Sequence, residues 1–262
     1  MSVLVRNSRL RSRFKFWTLR AARVAGYFVP EHLVGGRPAW DVDLVPMPAD
    51  SERAVEIPWA ASAIATCFGL WLDVGCAYAE RRYWEAIPFT GWRRYLRYGY
   101  GFDITEPGQE DPLPVHVVDD LIEYDFQKLP RFDLITCIST LEHIGCDNTR
   151  YHPNTNRRDQ PFELQKQALQ QLLSALTCRG KLLLTLPYGV FQDHGWFLQY
   201  NAQMVQALSE VGMLAGKQLI AERYYQLQHE GWQRMKPDGA DTLIYRAEEG
   251  RASAVALLEF GA

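Results

Sequence analysis

Four stretches of the chain end an apolar run on groups that can do chemistry. Residues 71–80, WLDVGCAYAE, reach Asp73 and Gly75 and then break into small residues, among them Ala77 and Ala79. YGYGFDI ends on Asp103 and Ile104, VHVVDDL on Asp119, Asp120 and Leu121, and FDLITCISTLEHIG on Ser139, Thr140, Glu142 and His143. Small residues after Asp73 let the chain turn sharply and let a ligand approach the backbone. A dinucleotide loop reads GxGxxG, with a glycine against a pyrophosphate at a helix N-terminus. GCAYAE lacks those glycines. An acidic residue just ahead of such a turn suits a cationic ligand, such as a sulfonium bearing an amino group. A carboxylate at Asp103 can accept both hydroxyls of a ribose, and one at Asp119 or Asp120 can accept the exocyclic amine of adenine.

Removing a proton from an acceptor is work for a histidine, whose charge changes near neutrality. Two candidates follow strand-like runs, His143 and, in Asp193-His194-Gly195-Trp196, His194. Glu142 and Asp193 stand next to them and could orient an imidazole. The bland reading of each histidine is a hydrogen-bonded structural residue. Glu142, His143, His152, Asp193 and His194 could instead hold a divalent metal, but none has ligand spacing on one helix. No metal site is expected.

The elements that must position these groups alternate. From Gly69 onward, short apolar runs are separated by amphipathic stretches, the pattern of a parallel sheet with helices on both faces. Strands are expected at 69–74, 98–104, 115–120, 132–138 and 181–187, each continuously apolar as doubly buried strands are. KQLIAERYY and ASAVALLEF supply two more, the last running antiparallel. Helices are expected at AERRYWEAI, at PFELQKQALQQLLSALT with Pro161 at its start, and at LQYNAQMVQALSEVG, with Gly180 and Gly212 as stops. In such sheets ligands sit beyond the carboxyl ends of the strands, where the named groups cluster. The polar stretch 146–160 is long for a connection, and within it Tyr151–Gln160, together with Tyr188–Tyr200, is expected to shape an acceptor pocket.

The 262 residues, 47% hydrophobic and 23% charged, can bury a full core. A net charge of -3 argues against a nucleic-acid partner. Arg6, Arg9, Arg11, Arg13, Lys15, Arg20 and Arg23 precede any acidic residue. Residues 6–23 could touch an anionic membrane or a partner, although a surface helix packed by its aromatic side explains them as well. Five cysteines without a CxxC pair suit reduced thiols in the cytoplasm. The oligomeric state is open.

The order of strand ends resembles the class I S-adenosylmethionine-dependent methyltransferase family. LDVGC looks like its first motif, GFDI its ribose-binding strand end, VVDDL its adenine-binding strand end, FDLITCISTLEHIG its fourth-strand motif and RGKLLLTLPYG its fifth strand. The resemblance implies a Rossmann-like, doubly wound, seven-stranded sheet over residues 56–262. It also implies S-adenosylmethionine as cofactor, held by Asp73, Gly75, Ala77, Asp103, Ile104, Asp119, Asp120, Leu121 and Ser139. His143, His194, Glu142 and Asp193 are the catalytic candidates. Ala77 and Ala79 stand where the family has glycines, which narrows the room for the methionine moiety. Residues 1–55 form a basic, helical segment expected to cap the site or mediate assembly. The expected acceptor is a small molecule, most readily a hydroxyl of a sugar or natural product. LPYG lies on the fifth strand, whereas the base-methylating motif follows the fourth. Two rival readings are a noncatalytic nucleoside-binding or assembly protein and a nicotinamide-dependent oxidoreductase.

Overall fold

The protein, seen in a computed structural model, is described over residues 2–5, 33–34, 37–38, 51–67, 69–79, 83–84, 99–108, 111–240 and 242–262. Its strands are β1 (Ser2–Val5), β2 (Leu33–Val34), β3 (Arg37–Pro38), β4 (Trp71–Val74), β5 (Gly99–Asp103), β6 (Val115–Val118), β7 (Phe132–Cys137), β8 (Leu176–Pro187), β9 (Gln192–Asp193), β10 (Leu198–Gln199), β11 (Gln218–Gln228), β12 (Gly231–Met235) and β13 (Ala254–Gly261). The helices are α1 (Arg53–Thr66), α2 (Pro161–Ser174) and α3 (Ala202–Leu214).

All four residues of β4 are buried, as a strand flanked by parallel neighbours and covered on both faces must be. It pairs in parallel with β5 on one side and β7 on the other. The order β1-β6-β5-β4-β7-β8-β13-β11-β12 therefore reverses direction at β4, which opens a crevice above its carboxyl end. β13 lies antiparallel between β8 and β11, as expected for the last strand.

Side chains alternate between two cores along each central strand. Leu182, Leu184 and Leu186 of β8 pack with Leu169 and Leu172 of α2 and Leu208 of α3. Leu183 packs on the opposite face with Ile57, Ala60 and Ile64 of α1. Helices thus cover both faces, the doubly wound arrangement.

Three expectations need correcting. Among the described residues the sheet has nine strands rather than seven. Ser2–Val5, read as part of a helical segment, adds antiparallel to β6, and β12 folds back on β11 through His229 and Glu230. Gly180 does not stop a helix but lies inside β8, where a Cβ would come 2.5 Å from the Phe132 carbonyl oxygen. Gly212 lies within α3 against the Phe260 ring, and Gly216, at φ +72°, follows the helix end instead. Residues 6–23 and most of AERRYWEAI lie outside the described residues. Among the described residues no helix is long and apolar enough to cross a membrane.

Candidate cofactor and acceptor site

The carboxyl ends of β4, β5, β6 and β7 enclose a cavity of about 250 Å³. Asp73, Gly75, Asp103, Ile104, Asp119, Asp120, Leu121 and Ser139 line it; Ala77 does not.

Gly75 holds φ at +81°, and a Cβ there would lie 2.0 Å from Thr140 Oγ1. The position therefore requires glycine for its backbone angle and for the approach of the loop after β7. Asp103 turns one oxygen to the Ala77 amide at 2.9 Å and the other to the Thr105 amide at 2.9 Å. Each oxygen keeps a second lone pair for a hydroxyl. Burial raises the Asp103 pKa, and the backbone donors oppose that rise. Ala77 thus acts through its amide, behind Asp103, and its methyl is not part of the wall.

Asp73 Oδ1 accepts from Thr136 Oγ1 at 2.6 Å and from the Tyr83 hydroxyl at 2.9 Å. Burial nevertheless pushes its carboxyl up to about 7. Such a group gains most from a cation placed beside it. Ser139, at φ +43°, is a non-glycine residue in the left-handed region. Its amide donates to Thr185 Oγ1 at 2.9 Å and its hydroxyl to Glu56 Oε1 at 2.8 Å, which hold it there. Strain of this kind collects at ligand sites. At the end of β6, Asp120 is tied to Arg158, which leaves Asp119 as the carboxylate with more acceptor capacity to spare.

The other end of the cavity belongs to the loop after β7. Asn148, Tyr151, Thr155 and Asn156 line it, and the Tyr78 hydroxyl donates across to the Tyr151 carbonyl at 2.9 Å. His143 also lines it, with Nδ1 2.8 Å from the Trp196 carbonyl oxygen. A carbonyl only accepts, so Nδ1 carries the proton and Nε2 keeps a lone pair. Burial drives the His143 pKa down to about 4 against that hydrogen bond. The ring is neutral at pH 7.

The remaining candidates stand elsewhere. Glu142 is buried outside the cavity with Oε2 unpartnered. Burial pushes its pKa well up, and Glu56 adds to the rise. His143 is oriented by the Trp196 carbonyl and not by Glu142. His194 stacks on Phe197 with ring centroids 4.4 Å apart and its Nε2 buried without a partner. Burial lowers its pKa, against the pull of Asp193. Asp193 is gripped by Arg157, one contact measuring 3.0 Å, and that guanidinium holds its carboxyl below the usual range. Neither His194 nor Asp193 lines the cavity. The loop Tyr188–Tyr200 reaches the site through His143, to which it lends the Trp196 carbonyl and against which it packs the Trp196 and Phe197 rings, with centroids 5.1 Å and 5.9 Å from the imidazole. The five residues weighed as metal ligands are not gathered; the ligand-type side chains that converge among the described residues are Cys76, Asp111 and His116.

Arg53 and Ile57 of α1, Tyr78, Tyr83 and Asn148 also line the cavity and were not singled out from sequence. The signal for α1 was its run Val55, Ile57, Ala60, Ala61, Ile64, but Pro58 within it reads as a break.

No family model matches the chain, and no curated protein matches it. Solved structures of similar shape exist. The 1,6-didemethyltoxoflavin-N1-methyltransferase of Burkholderia thailandensis, solved with 1,6-didemethyltoxoflavin and S-adenosylhomocysteine, is 14% identical, with 99% of this chain and 94% of that chain covered and a TM-score of 0.44. The N-methyltransferase NodS of Bradyrhizobium japonicum WM9, in complex with S-adenosylhomocysteine, is 12% identical over 87% and 93% of the two chains, with a TM-score of 0.47. The CcbJ methyltransferase of Streptomyces caelestis is 12% identical over 86% and 93%, with a TM-score of 0.46.

Proposed function

We propose that the chain is an S-adenosylmethionine-dependent methyltransferase that methylates an acidic hydroxyl of a small natural product, in the cytoplasm. One observation carries the reading. A single cavity joins Asp73, Gly75, Asp103 and Asp119 at one end to a neutral imidazole with a spare lone pair at the other.

Asp103 would take the ribose hydroxyls, Asp119 the adenine amine, and Asp73 the amino group, while glycine at 75 leaves room for the ligand to meet the backbone. The cofactor supplies, when bound, a methyl group on a sulfonium. His143 accepts the acceptor's proton at Nε2 while the Trp196 carbonyl holds its tautomer. A ring of such low basicity matches a phenolic or enolic hydroxyl better than a sugar alcohol, because proton transfer in the transition state favours matched pKa values. Tyr78 and Tyr151, packed on each other with ring centroids 5.1 Å apart, form one aromatic wall of the cavity against which a flat acceptor could lie. Residues 1–55 would cap the site or mediate assembly.

The test is calorimetric titration of S-adenosylmethionine into the folded chain and into Asp103→Ala, followed by mass spectrometry of a panel of phenols and amines. Binding that weakens about 100-fold or more in the variant is expected, since charged hydrogen bonds are each worth about 1.5–3 kcal/mol. No binding to the folded chain would favour the noncatalytic reading. Methylation confined to amines and unaffected by His143→Ala would overturn the choice of oxygen.

A further inference from the structure

Behind the cofactor turn, on the sheet face covered by α1, lies a group of side chains that the proposed reaction does not use. Cys76 follows Gly75, His116 sits on β6, and Asp111 lies in the connection that enters β6. All three are buried, and one ligating atom from each lies within 4.8 Å of the other two. Cys76 Sγ stands 4.0 Å from His116 Nδ1. His116 Nε2 lies 3.1 Å from the Leu113 carbonyl oxygen and 3.4 Å from Asp111 Oδ1. A carbonyl can only accept, so Nε2 carries the hydrogen and Nδ1 turns its lone pair toward the thiol.

Asp111 Oδ1 accepts the Leu113 amide at 2.8 Å, but Oδ2 is buried with no hydrogen-bond partner. Leaving a carboxylate oxygen buried and unpaired is costly unless a cation faces it. Gly101 on β5 contributes as well: a Cβ there would come within 2.5 Å of His116 Nδ1 and 2.7 Å of Cys76 Sγ. The strand thus leaves open the space the two donors share.

We propose that Cys76, His116 and Asp111 bind a divalent zinc ion, which fastens the turn after β4 to β6. Thiolate, imidazole and carboxylate are the donor types zinc selects. Tetrahedral zinc sets its donors about 3.3–3.8 Å apart, so donors that lie within 4.8 Å of one another need close by at most about 1.5 Å. The second ring nitrogen of His116 already donates to a carbonyl, with a carboxylate beside it, as ligating histidines do. The ion would neutralise Cys76 and Asp111 beneath a turn whose next residue, Ala77, holds Asp103 through its amide. Its role is to hold the turn and not to touch the acceptor.

The experiment is elemental analysis of the full chain purified without chelator, with cobalt(II) titration of the metal-stripped protein. About one zinc per chain is expected, together with a thiolate-to-cobalt charge-transfer band and tetrahedral visible bands. Cys76→Ser should abolish the charge-transfer band. The isosteric Asp111→Asn, which keeps the acceptor for Leu113, should weaken zinc by about 10–100-fold or more. Chelator should lower the melting temperature of the wild type, reversibly with zinc, and leave Cys76→Ser unmoved. A folded wild type with neither stoichiometric zinc nor a cobalt-thiolate band would overturn the proposal, whatever its behaviour toward S-adenosylmethionine.

Discussion

The loops after β7 and β8 are alike on paper. Each leaves the carboxyl end of a central strand, each carries an acidic residue followed by histidine, and each adds aromatics. In the fold they part. Ser139, Thr140, His143, Asn148 and Tyr151 of the first line the cavity, whereas 188–200 buttress them from behind, and the two histidines differ accordingly. His143 has one nitrogen committed to a carbonyl and a ring on the cavity wall; His194 lies flat on Phe197 with a stranded Nε2. What a histidine can do is decided by the partner of its second nitrogen, which spacing along the chain does not reveal.

The largest blow to this distinction should come from Gly75→Ala. Its Cβ would collide with Thr140 in the loop after β7 and force alanine into the left-handed region. A loss of about 3 kcal/mol or more in denaturant unfolding, with no measurable cofactor binding, is expected. If the variant binds normally, the loop after β7 is not the cavity wall described.

Next in size is His143→Gln. Turnover should fall about 100-fold with cofactor affinity kept. The same variant separates the loops by pH. Burial holds the folded pKa of His143 at about 4, below the ordinary 6.5, so between those values the unfolded chain binds a proton that the folded chain refuses. Its contribution is fully present above pH 6.5 and is lost as pH falls toward 4, by about 3 kcal/mol. Urea titrations at pH 7 and pH 4.5 should show a smaller acid loss in the variant; an identical loss would mean that the ring is not buried as described.

Asp193→Asn should do less. It weakens a half-exposed ion pair to Arg157, worth up to about 1 kcal/mol, and turnover should stay within about threefold. Smallest is His194→Phe, which keeps the stack on Phe197 and removes the stranded nitrogen. A stability gain of up to about 1 kcal/mol, with unchanged turnover, is expected. A tenfold loss of turnover would restore His194 as a candidate base.

The strand ends were legible because doubly buried strands write themselves as continuous apolar runs, and the acidic residues near their ends interrupt those runs. Asp73, Asp103 and Asp119 were read in this way, and the order in which they reach one cavity follows from parallel pairing. α1 was not legible, since it is apolar on most sides and broken by Pro58, so that its period is blurred. Nor could the sequence separate Glu142 from His143: neighbours in a short 3-10 turn point in different directions, one into the core and one to the cavity. The group of Cys76, Asp111 and His116 draws on three separate segments, and only pairing of β4, β5 and β6 brings it together.

The contact between Gly75 and Thr140 has an energetic meaning beyond packing. Thr140 occupies the volume a side chain at 75 would fill, so the turn proposed to receive the nucleoside lies in direct contact with the loop that carries His143, and ordering one constrains the other. Ordering either by a ligand lowers the entropy still to be lost at the other. The affinities of cofactor and acceptor are then linked, and thermodynamic reciprocity requires the same factor in both directions.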